Sequence, residues 1–200
     1  MASPTTEDYE DLKRLGRYLL GKPRIIQLYH AGPRKKFIDC YVDSDWAGCV
    51  RTRRSTSGGG ILWGSHCLKT WASTQASVAL SSGEAEYYSM VKGASIAMGT
   101  RALLDDFGVK VGIRVHTDSS AAKGIASRTG LGKTRHIAVH LLWVQEKVRG
   151  KDIELLKCKG TENPADLMTK HLDQAAAYKC MSWWGLTPRT GRSPVAPQIV

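Results

Sequence analysis

One short segment constrains the fold more than any other, because an apolar run there ends in acidic side chains. Residues 37–42 have the composition of a buried strand, and Asp43 and Asp45 follow at its carboxyl end. Gly48 and a basic loop come next. A strand that carries acids at its end is typical of a cation site, but ordinary turns are also rich in Asp. The segment therefore predicts either a cation site or a plain strand-to-turn boundary.

The charge of the chain narrows the class of partner. The 200 residues include 29 Lys and Arg against 18 Asp and Glu, which gives a net charge of +11. Such a surplus favours a polyanionic partner, most simply nucleic acid, over a basic protein without one. The length is sufficient for one domain with a hydrophobic core and additional terminal segments.

The cysteines and the apolar runs exclude several other classes. The five cysteines are odd in number and never form a C-x-x-C pair, which argues against a disulfide framework and a zinc knuckle. No apolar run approaches the ~20 residues of a membrane span, and the acidic N-terminal segment is unlike a secretory signal. We therefore expect an intracellular, reduced protein with no membrane partner.

The first half of the chain has the pattern of a helix followed by antiparallel strands. Apolar spacing predicts a helix over residues 7–20, and residues 25–29 and 37–42 are expected to form a hairpin-like pair. Further strands are expected at residues 58–63 and 67–72. Short connections between three consecutive strands predict an antiparallel meander.

In the second half, helices alternate with strands. Ser81 and Glu84 form a predicted capping box at the start of a helix that reaches about residue 107. The remaining expected elements are a strand at 113–117, helices at 119–125 and 137–148, a strand at 153–158 and a core helix from Asn163-Pro164. Residues 174–184 are either a docking helix or part of the C-terminal tail. Beyond about residue 186 we expect disorder. This order predicts an α/β fold, a mixed sheet of five strands covered by helices.

Four acids occupy comparable positions along these elements. Asp43 and Asp118 end two core strands that can be neighbours, Glu86 lies in the first turns of the long helix, and Asp166 begins the last helix. Converging carboxylates repel one another, and Mg²⁺ is the hard cation that prefers oxygen ligands. Two such ions about 4 Å apart can activate water and stabilise a leaving oxygen. Helix capping and solvent exposure are the structural alternatives for these acids.

Basic and histidine residues give weaker signals. His136 and His140 are four residues apart, but no Glu lies between them, which favours packing or phosphate contact over zinc. Arg51, Arg53 and Arg54 follow the first acidic strand, where they can contact phosphates or form a solvated loop.

Five segments together resemble one known family. In chain order they are YVDSDWAGCVRTRRSTSGG, TWASTQASVALSSGEAEYYS, HTDSSAAKGIAS, KTRHIAVH and TENPADLMTK. They are similar to the successive motifs of the ribonuclease H domain in copia-class LTR retrotransposon Pol polyproteins, over about residues 8–172. The resemblance implies a ribonuclease H fold and cleavage of the RNA strand of RNA–DNA hybrids with two Mg²⁺ ions, for which Mn²⁺ can substitute.

The family motifs can be carried over residue by residue. Asp43, Glu86, Asp118 and Asp166 are then the catalytic and metal-binding acids. For nucleic-acid contact we assign the basic residues of two loops: Arg51, Arg53, Arg54, Lys133, Arg135 and His136.

The resemblance also implies a division of the chain. Residues 1–35 are expected to link to an upstream reverse transcriptase, residues 36–172 to form the ribonuclease H domain, and residues 173–200 to form a C-terminal extension.

The chain departs from the pattern in one loop. Cellular relatives often carry a His before the last acid, where residues 157–161 here read Lys-Cys-Lys-Gly-Thr. This departure implies slow turnover, and a degenerate nucleic-acid-binding remnant stays open as an alternative. A DNA-acting integrase or transposase of the same fold is the second alternative, although the chain shows no His/Cys zinc module.

Overall fold

The computed structural model describes residues 4–132, 134–191 and 193. By their contacts these residues form two compact units, one of residues 29–185 and one that joins the segment up to Leu28 to the segment from Leu186. No helix in the described part is long and apolar enough to cross a membrane. In chain order the helices and strands are α1 (Thr6–Gly21), β1 (Arg24–Gln27), β2 (Phe37–Asp45), β3 (Thr56–Trp63), β4 (His66–Thr74), α2 (Ser82–Asp106), β5 (Gly112–Thr117), α3 (Ser120–Ser127), α4 (Trp143–Arg149), β6 (Ile153–Lys157), α5 (Gln174–Trp183) and β7 (Leu186–Arg189).

The larger unit is built on a five-stranded mixed sheet in the order β4-β3-β2-β5-β6. Strands β2, β3 and β4 form the expected antiparallel meander, and β5 and β6 add parallel strands beside β2. This α/β topology confirms the ribonuclease H fold that the sequence predicted. Because β2 and β5 are parallel neighbours, their carboxyl ends meet at the same edge of the sheet.

Helix α2 packs closely on the centre of the sheet. Residues 38, 40 and 42 alternate along β2 and are fully buried on the face that α2 covers. A side chain at Gly93 of α2 would come within 2.3 Å of Val42 Cγ1, so only glycine allows this approach. Ser89 Oγ donates to the carbonyl oxygens of Asp43 at 2.6 Å and of Gly58 at 3.3 Å. These contacts hold the first turns of α2 beside the end of β2.

The predicted cap of α2 is present in a modified form. Ser81 Oγ accepts a hydrogen bond from the Glu84 backbone N–H at 3.2 Å. The Glu84 carboxylate accepts in return from the N–H of Leu80, one residue before the cap, at 2.8 Å. The acid therefore serves the helix start, as the sequence suggested, through a different backbone donor.

The expected hairpin between residues 25–29 and 37–42 is wrong. Strand β1 pairs antiparallel with β7 instead, with Ile26 opposite Thr187. The connection over residues 28–36 contains Pro33 and is too long for a tight turn. The expectation of disorder from residue 186 is likewise wrong for Leu186–Arg189, because backbone pairing orders this segment without any apolar periodicity.

Two predicted helices are shorter than expected. Residues 137–148 form a loop, a 3₁₀ turn at Val139–Leu141 and then α4, yet Ile137 is still buried. The last core helix is a 3₁₀ turn, Pro164–Met168, with Asn163 as its N-cap. The apolar spacing indicated which residues face the core. A bent backbone can place the same residues there, so the spacing did not distinguish it from a continuous helix.

Of the two interpretations of residues 174–184, the helix is the one observed, because Gln174–Trp183 form α5. Trp184 directly after it is fully buried, and its Nε1 donates to the Pro164 carbonyl oxygen at 3.0 Å. Asn163 Nδ2 donates to the Val42 carbonyl oxygen at 3.0 Å. The 3₁₀ turn that carries Asp166 is thereby fixed to β2 on one side and to the end of α5 on the other.

Candidate metal-binding and catalytic site

Three of the four predicted acids meet at the carboxyl edge of the sheet. Asp43 near the end of β2, Asp118 just after β5 and Glu86 in α2 each offer an oxygen, and these oxygens all lie within 4.8 Å of one another. The register explains the first pair, because Tyr41 lies beside His116 and each acid follows two residues later in its own segment. We call these three residues the carboxylate group.

Asp43 is the most enclosed member of the carboxylate group, with a relative exposure of 1%. Thr169 Oγ1 donates to its Oδ2, and Lys170 Nζ lies 3.2 Å from its Oδ1. Burial raises the pKa of Asp43 to about 6, although the hydrogen bond from Thr169 and the charge of Lys170 act in the opposite direction. The side chain therefore has a preset orientation in a poorly solvated position.

Glu86 has fewer partners. The Ser44 backbone N–H lies 3.4 Å from its Oε1, whereas its Oε2 is buried and has no hydrogen-bond partner among the described residues. Burial, and then the neighbouring charges of Asp43 and Asp118, raise the pKa of Glu86 to about 8. A buried carboxylate oxygen of this kind is costly unless it is paired or coordinates a metal. The residues of the carboxylate group therefore fit a hard divalent cation.

Asp166 lies outside the carboxylate group, although it was predicted as a fourth ligand. Lys170 Nζ is 2.6 Å from Asp166 Oδ1 and so lies between this acid and Asp43. Thr169 and Lys170 were not singled out from the sequence. Their signal was available, because Lys170 follows Asp166 by four residues within the TENPADLMTK segment.

Glu84 lies two residues before Glu86 and points elsewhere. Its side chain is only 3% exposed, and its carboxylate accepts from the Tyr88 hydroxyl as well as from Leu80 N–H. His136 Nε2 lies 2.8 Å from Glu84 Oε2. Burial acts to raise the pKa of Glu84, but these hydrogen bonds together lower it.

His136 lines a groove that two of the motif segments share. The groove has a volume of about 610 Å³ and is bordered by polar side chains from the end of β4, from α2 and from the loop before α4, among them Ser73, Thr74, Gln75, Lys92, His136 and His140. His136 and His140 do not lie on one continuous helix, so the helical zinc-pair geometry is absent here.

The basic loop predicted beside the site is exposed. Arg51, Arg53 and Arg54 lie between β2 and β3 and are all solvent-accessible. Arg53 has a φ of 55°, and its N–H donates to the Cys49 carbonyl oxygen at 2.7 Å, which closes the loop. Arg135 is also exposed, whereas Lys133 lies outside the described residues.

The loop after β6 passes close to Asp118. A side chain at Gly160 would come within 3.2 Å of Asp118 Oδ2. Burial, followed by the charges of Asp118, Asp166 and Asp43, raises the pKa of the Cys158 thiol to about 11. The thiol is therefore neutral at physiological pH in the metal-free chain.

The chain is similar in sequence to retrovirus-related Pol polyproteins. No protein-family model matches the chain. The chain is 28% identical over 188 residues to the retrovirus-related Pol polyprotein from transposon TNT 1-94 of Nicotiana tabacum, covering 93% of this chain and 14% of that protein. It is 27% identical over 190 residues to the Pol polyprotein from transposon RE1 of Arabidopsis thaliana, covering 94% and 13%. These matches fit a ribonuclease H domain of a Pol polyprotein.

The chain thus spans a small part of the length of the curated relatives that it matches. Among solved structures, it is similar to the RNase H1 of the archaeon Halobacterium salinarum, with 15% identity and a TM-score of 0.46. That similarity covers 72% of this chain and 98% of the archaeal one.

Proposed function

We propose that this chain is the ribonuclease H domain of a retrotransposon Pol polyprotein and hydrolyses the RNA strand of RNA–DNA hybrids with divalent cations. The observation that carries the proposal is the carboxylate group. Three acids meet within 4.8 Å at the end of two parallel strands, and one buried carboxylate oxygen has no partner among the described residues. A bound cation would supply the partner that this oxygen lacks.

Asp43, Glu86 and Asp118 would hold the cation, and Asp166, which shares Lys170 with Asp43, would contribute to a second one. When bound, such ions supply an activated water and stabilise the leaving oxygen in phosphodiester hydrolysis. Thr169 fixes the orientation of the Asp43 carboxylate through its hydroxyl donor. The Ser44 backbone N–H holds one oxygen of Glu86. These contacts keep the ligands in place before substrate arrives, which avoids reorganisation during the reaction.

The basic loop supports a nucleic-acid substrate. Arg51, Arg53 and Arg54 extend from the loop that follows Asp43, where backbone phosphates are the natural partners of exposed guanidinium groups. His136 and Arg135 belong to the second loop assigned to the substrate, together with Lys133. The net charge of +11 adds a long-range attraction for a polyanion.

The names of the relatives support a larger polyprotein as the context of this domain. Because they are named as Pol polyproteins, we propose an upstream reverse transcriptase as the partner of this chain, acting on the same hybrid. The proposed location is inside the cell, in a cytoplasmic retrotransposon particle or in the nucleus.

A cleavage assay on matched RNA–DNA, RNA–RNA and DNA–DNA duplexes of one sequence tests the proposal. We expect cleavage of the RNA strand of the hybrid in Mg²⁺ or Mn²⁺ and none in Ca²⁺, because an all-carboxylate site of this kind requires a small ion with strict geometry. Equal cleavage in EDTA would contradict the metal mechanism. Cleavage of DNA would favour the integrase-type alternative, and binding of hybrid without cleavage in any metal would favour the degenerate remnant.

A further inference from the structure

Lys170 occupies an unusual position for a lysine on the protein surface. Its ammonium lies 3.2 Å from Asp43 Oδ1 and 2.6 Å from Asp166 Oδ1, so it bridges two acids that come from different elements. The Lys170 backbone N–H also donates to the Asp166 carbonyl oxygen at 2.9 Å. Lys170 and Asp166 therefore belong to the same short turn, and the Lys170 ammonium connects this turn to Asp43.

The ion pairs of Lys170 compensate the charges of only two of the four acids. Asp43 and Asp166 share one ammonium, whereas Glu86 Oε2 has no partner and neither Glu86 nor Asp118 forms an ion pair among the described residues. Asp43 is 1% exposed, so the ammonium compensates a carboxylate that water does not reach. Lys170 therefore compensates the most buried acid of the carboxylate group and leaves Glu86 and Asp118 without an ion-pair partner among the described residues.

The lysine can also leave this position. Its side chain is 41% exposed, and the flexible four-carbon stem allows the ammonium to turn toward solvent. Thr169 Oγ1 would still hold Asp43 through its Oδ2 after such a movement. The acids then remain in place when the ammonium departs.

We propose that Lys170 is a resident counter-cation, which neutralises Asp43 and Asp166 in the metal-free protein and is displaced when a divalent cation binds these carboxylates. The inference rests on the proposed function, because it requires the carboxylates to bind metal. A carboxylate oxygen that accepts from an ammonium cannot give the same lone pair to a metal ion, so the two cations compete for Asp43 Oδ1 and Asp166 Oδ1. Lys170 is thus a positioning residue that sets how much divalent cation the site needs.

Manganese binding to the metal-free full chain, without nucleic acid, tests this inference by isothermal titration calorimetry. Lys170→Met removes the competing charge and is expected to bind Mn²⁺ about tenfold more tightly than the unmodified chain. Lys170→Gln keeps hydrogen-bond donors without the charge and should shift in the same direction, which preserves the test if the Met variant does not fold. Lys170→Arg retains the charge and should show no gain. Lys147→Met is the matched control, since Lys147 pairs with Asp152 at 3.2 Å outside the carboxylate group.

A second readout separates competition from a simple surface ion pair. Without metal, Lys170→Met should melt at a lower temperature than the unmodified chain, and saturating Mn²⁺ should raise its melting temperature by the larger amount. Unchanged or weaker Mn²⁺ affinity in both neutral variants would overturn the role of Lys170 while leaving the proposed function intact. Failure of the unmodified chain and of every variant to bind Mn²⁺ would instead contradict the metal site, and with it both proposals.

Discussion

Helix α2 presents two glutamates, two residues apart, to two different environments. Glu84 faces the groove side, where it is 3% exposed and accepts from Leu80 N–H, the Tyr88 hydroxyl and His136. Glu86 faces the sheet edge, where it meets two further carboxylates and keeps one buried oxygen without a partner among the described residues. The helix rotates by about 200° between the two positions, so one turn serves both regions.

The contrast separates two uses of a buried acid. An acid whose oxygens are all satisfied by donors stabilises the fold, because its removal leaves those donors unpaired. An acid placed among other acids destabilises the fold, and such an arrangement persists where it serves a ligand or a reaction. The opposite shifts in pKa express this difference, since the pKa of Glu84 is lowered and that of Glu86 is raised to about 8.

The largest expected effect is on cleavage. Glu86→Gln should reduce hydrolysis of the RNA–DNA hybrid by more than about 100-fold, because it removes a charged ligand from the carboxylate group. Glu84→Gln is the matched control and should retain activity within a few-fold, since it lies outside that group. Initial rates in Mg²⁺, with a melting curve for each variant, decide between them. An inactive Glu84→Gln beside an active Glu86→Gln would reverse the comparison.

Stability should respond in the opposite sense. Glu84→Ala is expected to lower the free energy of unfolding by about 1–3 kcal/mol, because backbone and hydroxyl donors lose a buried acceptor. Glu86→Ala removes an oxygen that has no partner and should cost less. Urea unfolding of the two metal-free variants at neutral pH measures both values. Equal losses would show that the two acids are equally structural.

The sequence predicted the different roles of Glu84 and Glu86 only in part. The spacing of Ser81 and Glu84 predicted a capping role, and the strand-end positions of Asp43 and Asp118 predicted their approach, because parallel neighbours end at the same edge. The pairing of Glu84 with His136 was not predictable, since it joins residues 52 positions apart through a loop without regular periodicity. The bridge from Lys170 to Asp43 was hidden for the same reason, because it spans 127 positions.

The dependence of stability on pH gives a third, smaller contrast. The pKa of Glu86 is raised from 4.5 to about 8 in the folded chain, so its contribution is fully present below pH 4.5 and is lost as the pH rises toward 8. The pKa of Glu84 is lowered, so its contribution is present above 4.5 and is lost as the pH falls. Glu86→Gln should therefore flatten the decline of stability on the neutral side by about 1–2 kcal/mol, and Glu84→Gln should flatten the acid side. The free energy of unfolding of the metal-free proteins, measured between pH 4 and 9, tests both the acid and the neutral side. Variant curves parallel to that of the unmodified chain would contradict these roles of Glu84 and Glu86.

The basic loop beside the carboxylate group should act on binding alone. Replacing Arg53 and Arg54 with Gln is expected to weaken hybrid binding about equally for all sequences, and to reduce the slope of log affinity against log salt by up to about 1.8. The reason is that exposed guanidinium groups in this loop meet phosphates rather than base edges. Binding isotherms in Ca²⁺ over a salt series test this. An unchanged slope would make the loop a plain solvated surface.

The smallest expected effect concerns His136, which decides whether the Glu84 side is only structural. If the imidazole contacts a phosphate from the groove, His136→Ala should weaken hybrid binding several-fold and reduce the salt slope by about 1. If the imidazole only satisfies Glu84, the same variant should lose about 1 kcal/mol of stability and leave the slope unchanged. His140→Ala is the matched control, because His140 lines the same groove and forms no ion pair among the described residues. A reduced slope in His136→Ala alone would extend the nucleic-acid interface across α2, so that one face of the helix binds metal and the other guides the strand.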